Sequence, residues 1–298
     1  MTSKMGTIQE LLATKPPENS QKTQYVDTVE AYDKWAEVYD TDGNFLQRLD
    51  TIEMRSLLPR FIDRVSKRFQ PESESESEIK TKTTRPTLVD LGCGTGRNTI
   101  QLLSALSTAN KASSFSVIGL DASRGMLDVA RTATREYAAK SATQIPEIEL
   151  GILDLLQPEV SKTQLPSGLY ETGAVGVIST LVLEHIPLEQ FFAAAAEIMR
   201  SGAYLLVTNM HAEMGMRSQA GFTDERGVKV RPTSYCHDIP DVLAAARGAG
   251  FEVEDVVGAG ADGVIVRGVD GELGDVLGAR AKKWVGVRVW FGVCFVKG

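Results

Sequence analysis

The chain has 298 residues, 43% hydrophobic and 24% charged, ordinary values for a globular protein with a sizeable core. Its formal net charge of −7 lacks the clustered Lys and Arg that phosphate neutralisation needs, so no nucleic-acid partner is expected. The only cysteines, Cys93, Cys236 and Cys294, are widely separated and odd in number, which excludes a complete disulfide framework and gives no metal-ligand spacing. The first residues carry no apolar signal region and no run of about 18 apolar residues occurs, so a cytoplasmic protein without a membrane partner is expected.

In chain order, residues 1–22 are polar, contain Pro16-Pro17 and read as a flexible lead-in. Residues 23–70 read as a helical cap. Tyr32, Trp35, Ala36 and Tyr39 recur at helical spacing, and Leu49, Ile52, Leu57, Leu58, Phe61 and Val65 follow after the turn signal Asp40 to Asn44. Residues 71–84 are a Ser-Glu repeat that buries too little apolar surface to offset its ordering entropy, and are expected to form a disordered acidic loop. Over 85–298 strands and helices alternate. Strands are predicted at Thr87–Leu91, Ser116–Leu120, Ile148–Leu153, Gly173–Ser179 and Tyr204–Asn209. Helices are predicted at Asn98–Leu106, Gly125–Lys140, Leu188–Arg200 and Ile239–Ala249. Such alternation implies an α/β fold with a parallel sheet and helices on both faces. Phe251–Val257 and Val285–Val296 would close it with an antiparallel edge.

The chemistry concentrates at Asp90-Leu-Gly-Cys-Gly-Thr-Gly96, directly after a strand and before a helix. Glycines there allow a sharp turn and let a ligand approach the main chain, and ligands of open parallel sheets bind at the strands' carboxyl ends. Asp121 closes the second strand, where a carboxylate accepts from two ribose hydroxyls. A nicotinamide-dependent oxidoreductase would carry G-x-G-x-x-G with pyrophosphate on the helix N-terminus, whereas this turn reads G-x-G-x-G with an acidic neighbour that suits a cationic amine.

Asp90 to Gly96, Gly119-Leu-Asp-Ala-Ser123 with Met126, and Ile152-Leu-Asp154 resemble the first three cofactor motifs of class I S-adenosylmethionine-dependent methyltransferases. Val177 to His185 is similar to that family's fourth strand and following turn, and Val29 to Asp40 to the lead-in of its small-molecule, ubiquinone-biosynthesis-like branch. The resemblance covers roughly residues 25–296 and implies a Rossmann-like, seven-stranded, mostly parallel sheet. It further implies that Gly92, Cys93, Gly94 and Gly96 pack against the cofactor's methionine moiety with Asp90 near the amino group. Asp121 would hold the ribose, and Ala122 and Met126 would flank the adenine. Asp154 would accept from the exocyclic amine, with Leu153 and Leu155 beside the base. Ser179 would stand at the methionyl end, and Trp35 and Tyr39 would cover the sulfonium. For a general base the histidines are His185, His211 and His237, with His185 and His211 at the ends of the fourth and fifth strands. Ser179-Thr-Leu-Val replaces the Asn-Pro-Pro-Tyr-type motif that in the family marks methylation of nucleobase or amide nitrogen. The acceptor expected is a small molecule methylated at a thiol, hydroxyl or amine, with natural-product tailoring among the settings, and the segment from Met210 to His237 is expected to help form its pocket. A nicotinamide-dependent oxidoreductase and a non-catalytic cofactor-binding protein stand as alternatives.

Overall fold

A computed structural model describes residues 23–69, 85–157, 165–166, 169–256, 258 and 262–298. The expected lead-in over 1–22 and the acidic loop over 71–84 lie outside the described residues. The elements run β1 (Thr23–Tyr25), α1 (Thr28–Trp35), α2 (Phe45–Arg68), β2 (Thr87–Leu91), α3 (Arg97–Thr108), β3 (Ser116–Asp121), α4 (Arg124–Lys140), β4 (Glu147–Ile152), α5 (Leu169–Thr172) and β5 (Ala174–Thr180). They continue as α6 (Leu188–Ile198), β6 (Met199–Met210), α7 (Ala212–Gly215), β7 (Phe222–Thr223), β8 (Lys229–Arg231), α8 (Ile239–Gly248), β9 (Phe251–Val253), β10 (Val264–Gly268), α9 (Gly271–Leu277) and β11 (Arg288–Lys297). Short polar side chains start several helices: Asp27 accepts from the Val29 amide, Asn44 from Leu46 and Ser123 from Met126.

The main sheet runs β10-β11-β6-β5-β2-β3-β4, with β9 also paired to β11. Every pair from β4 to β6 is parallel, and β11 is antiparallel to its neighbours. Strand order reverses between β2 and β5, so the carboxyl ends of β2, β3 and β5 open on one crevice. Both faces are covered, as a parallel sheet requires. Leu88, Val117 and Ile178 pack with α2 and α3 on one face, whereas Val89, Leu91, Ile118, Leu120 and Val177 pack with α6 and α8 on the other. Two-residue alternation along each strand produces this division.

Two expectations are corrected. Among the described residues the main sheet has eight strands rather than the seven expected. The edge position is shared by β9, opposite Phe295–Lys297, and β10, opposite Arg288–Val293, because the chain leaves the ladder after Val253 and rejoins it at Val264. β1, β8 and β7 form a separate three-stranded sheet; at two or three residues each, they carry too little periodicity to be read from sequence. In addition α2, expected within a cap, has its apolar face in one cluster with the sheet, with Leu57, Phe61 and Val65 fully buried.

The α2 helix is pinned by a buried carboxylate. Asp50 accepts from Arg97 at 2.9 Å, Asn98 Nδ2 at 2.8 Å, Thr208 Oγ1 at 2.5 Å and Trp290 Nε1 at 3.0 Å. One side chain thus ties α2 to α3, β6 and β11.

Candidate active site

The Asp90–Gly96 turn places all three glycines at positive φ: +76° at Gly92, +54° at Gly94 and +85° at Gly96. Their surroundings differ. A Cβ on Gly92 would stand 2.2 Å from Val182 Cγ2, and one on Gly96 would stand 3.3 Å from Ala130 Cβ, so both serve close packing. A Cβ on Gly94 would meet nothing within 4 Å, because it points into a cavity. The opposite wall is Asp121, whose Oδ2 accepts from the Gly94 amide at 2.8 Å and whose Oδ1 accepts from the Ser123 amide at 2.9 Å. Burial pushes this carboxyl up, and those amides, with that of Ala122, oppose the shift. Ala122, Leu153, Asp154 and Leu155 line one end of the cavity, and Thr180, Leu181 and Val182 line the other. Leu181 holds φ at +58°, a conformation a leucine adopts only under tertiary constraint.

The roof comes from α1 and the turn after it. Asp33 Oδ1 accepts from Ser123 Oγ and from the Gly125 amide at 2.9 Å, and Asp40 accepts from Thr95 Oγ1 at 2.9 Å. Two carboxylates therefore dock the N-terminal segment onto the loops after β3 and β2. Tyr32 and Tyr39 face the cavity with ring centroids 5.8 Å apart, and burial raises both phenols, which keeps them neutral. The Tyr32 hydroxyl stands 2.7 Å from His185 Nε2, and His185 Nδ1 is 3.0 Å from the Thr233 carbonyl. A carbonyl only accepts, so Nδ1 carries a proton, while Nε2 lies within reach of both the Tyr32 hydroxyl and Glu184 Oε1.

A second cavity of about 500 Å³ adjoins this roof. Trp35 and Phe222, stacked with centroids 5.4 Å apart, form part of it together with Phe45, Met210, Met214 and Trp284. Trp35 contacts Tyr39 edge-on at 5.0 Å, and Glu184 Oε1 is 3.3 Å from His185 Nε2. Tyr32, Tyr39 and His185 face the first cavity while Trp35 and Glu184 face the second, so these side chains form a common partition.

Residues 89–207 match the family model described as a methyltransferase domain. An uncharacterized methyltransferase of Emericella nidulans is 52% identical over 274 residues, covering 91% of each chain. The chain belongs to the methyltransferase family. Among solved structures, a SAM-dependent methyltransferase of Methanosarcina mazei is 13% identical with a TM-score of 0.49, covering 72% of this chain and 92% of that one. The magnesium protoporphyrin IX methyltransferase of Synechocystis with bound SAH is 15% identical with a TM-score of 0.48, covering 90% and 94%. At such values neither likeness bears on what this methyltransferase acts upon.

Of the residues singled out in the sequence, Gly92, Gly94, Asp121, Ala122, Leu153, Asp154, Leu155, Tyr39 and His185 line the first cavity. Others do not. Asp90 alternates with Val89 and Leu91, so its carboxylate turns under the sheet toward α3, where Oδ2 accepts from Thr99 Oγ1 at 2.6 Å. Cys93 is buried with its sulfur against Gly119, and Gly96 packs on α4. Met126 is fully buried beneath Trp35. The Ser179 hydroxyl donates to the Leu91 carbonyl at 2.8 Å across the strands. Trp35 belongs to the second cavity, its Nε1 donating to Asp42 at 3.1 Å. His211 lines neither cavity: as N-cap of α7 its Nδ1 accepts from the Glu213 amide at 3.1 Å. His237 Nε2 is held 3.0 Å from the Ile186 carbonyl. Sequence reasoning missed Tyr32, Asp33, Asp40, Ser123 and Glu184. Of these, Tyr32 alone carried a signal, one helical turn before the aromatic residues already singled out.

Proposed function

We propose that this methyltransferase transfers a methyl group from S-adenosylmethionine to a thiol, hydroxyl or amine of a small molecule. One observation carries the reading: Gly94, Asp121 and Asp154 gather around a cavity at the strand ends that can take the cofactor, and a larger cavity lies beside it. The first cavity suits the cofactor. Gly94 leaves open space where any side chain would intrude, and each oxygen of Asp121 keeps acceptor capacity after its amide bond. When bound, the cofactor supplies an electrophilic methyl group on a sulfonium. Asp121 holds the ribose hydroxyls, Asp154 and the leucines beside it hold the adenine, and Tyr39 offers an aromatic face to positive charge. The roof shields the site from water, and His185 is oriented by its Nδ1–H bond to the Thr233 carbonyl. Catalysis by such a site is mainly positioning.

The nicotinamide reading loses its ground with family membership. No helix among the described residues is long and apolar enough to cross a membrane; a cytoplasmic location and the absence of a nucleic-acid partner remain part of this proposal, supported by the sequence.

Calorimetry tests the reading. Adenosylhomocysteine should bind with micromolar or tighter affinity and NAD should not bind; the reverse order overturns it. Asp121→Ala should weaken adenosylhomocysteine at least tenfold, since hydrogen bonds to a charged group contribute ~1.5–3 kcal/mol each.

A further inference from the structure

Among the described residues Glu184 is the carboxylate facing the second cavity with an oxygen left over. It is 6% exposed, on the short 3-10 turn Leu183–His185 after β5. Its amide donates to Asn209 Oδ1, its Oε1 lies beside His185, and its Oε2 has no hydrogen-bond partner among the described residues. Asp42, the other carboxylate there, is engaged by Trp35 Nε1 and the Asn44 amide. A buried carboxylate oxygen without a donor bears a desolvation cost that a ligand's O–H or N–H offsets.

The same cavity carries the opposite charge elsewhere. Lys229, Arg280 and Lys283 all line it; the Arg280 charge acts on Asp42, whereas Lys229 and Lys283 form no ion pair among the described residues. Lys283 Nζ lies 5.3 Å from the Trp284 ring centroid. Burial, with Arg231 and Lys283 nearby, lowers the Lys229 ammonium from its ordinary range. The same cavity is lined by the aromatic and aliphatic side chains of Trp35, Phe45, Phe222, Trp284, Met210 and Met214, interspersed with the polar Ser218, Gln219 and Thr223.

We infer that the acceptor is a ring-bearing organic acid, its anionic group held by Lys229 and Lys283 and its O–H, N–H or S–H donated to Glu184 Oε2. The inference rests on the methyl-transfer reading and names its substrate class. In the transfer, the acceptor atom's lone pair forms the bond to the methyl carbon and its proton passes to Glu184 Oε2. The electron pair of the broken carbon–sulfur bond remains on sulfur, so sulfonium and carboxylate are neutralised together.

The test uses three probes on the full chain, each titrated by fluorescence with saturating adenosylhomocysteine: 6-hydroxy-2-naphthoate, 2-naphthoate without the hydroxyl, and 2-naphthol without the carboxylate. 6-Hydroxy-2-naphthoate should bind at least tenfold more tightly than either. Lys229→Ala with Lys283→Ala should abolish its advantage over 2-naphthol and leave 2-naphthol unchanged. Glu184→Leu should abolish its advantage over 2-naphthoate and leave 2-naphthoate unchanged. Lys229→Gln and Glu184→Gln, milder in shape, repeat each arm should the first variants melt early. Equal affinities for the three probes, no binding, or variants that weaken all three alike overturn the inference. Failure of adenosylhomocysteine itself to bind instead overturns the methyl-transfer reading beneath it.

Discussion

The two cavities are built by different means. The first has a floor of backbone, with left-handed Gly92 and Gly94, strand ends held in register and amides gathered by Asp121, beneath a roof of side chains. The second is made of side chains drawn from α1, the start of α2, the segment around β7 and β8, and the 3-10 turn Ala279–Trp284. A backbone-built site is fixed by local turn chemistry and tolerates few changes at its glycines. A side-chain-built site can change its preferences by substitution without disturbing the sheet, which is where an enzyme family would vary its acceptor.

The largest effect expected is beneath the first cavity. Asp50→Leu leaves the half-buried Arg97 without its carboxylate and removes the acceptor from three further buried donors. Losing one partner of a buried ion pair costs about 3–5 kcal/mol, to be read from the urea midpoint. Loss below about 1 kcal/mol would show that the backbone alone sustains that floor.

Asp90 tests the same floor through pH. Burial raises its carboxyl from 3.8 to about 7, against the Thr99 hydrogen bond and the Arg97 charge. Between those values the folded protein keeps a proton that the unfolded chain has released. Its contribution is therefore complete in acid and is lost as pH rises through about 7. Asp90→Asn should remove that slope and be the more stable form at about pH 8, by on the order of 4 kcal/mol, compared in melts at about pH 5 and about pH 8. Parallel profiles for the two proteins would refute the assignment.

The glycines sharpen the contrast further. Gly92→Ala should cost about 3 kcal/mol, the sum of left-handed strain and the collision with Val182. Gly94→Ala should cost only the strain, about 1–2 kcal/mol, yet weaken adenosylhomocysteine tenfold or more, because its methyl enters the cavity. Equal melting losses and equal affinities would mean the two positions are not distinct. Smallest is Tyr32→Phe in the partition, expected to cost about 1 kcal/mol in stability through the unmade bond to His185, with cofactor affinity nearly unchanged.

Where sequence and cavity lining coincide, the signal is local. Gly92, Gly94 and Asp121 are strand-end chemistry, legible because a tight turn demands glycine and a cleft-facing strand end leaves a carboxylate free. Where they differ, the element is as expected and the side chain's direction is not. Asp90, Cys93, Met126 and Ser179 sit on the expected elements, but each side chain turns into the sheet or its packing helices. His211 likewise reaches the end of β6 and is used as a helix cap. Trp35 and Tyr39, one turn apart on the roof, fall on opposite sides of the partition.

Strand and helix periodicity, glycine spacing and the acidic strand ends by themselves pointed to the doubly covered parallel sheet and to a cavity at its strand ends, because both leave patterns within a few residues along the chain. Tertiary structure alone decided the joint edge of β9 and β10, the roof docked by Asp33 and Asp40, and the meeting of Glu184 with Trp35, Lys229 and Lys283. Those contacts join segments far apart in sequence, and a side chain's partner across such a distance is set by how the layers pack, which no local pattern encodes.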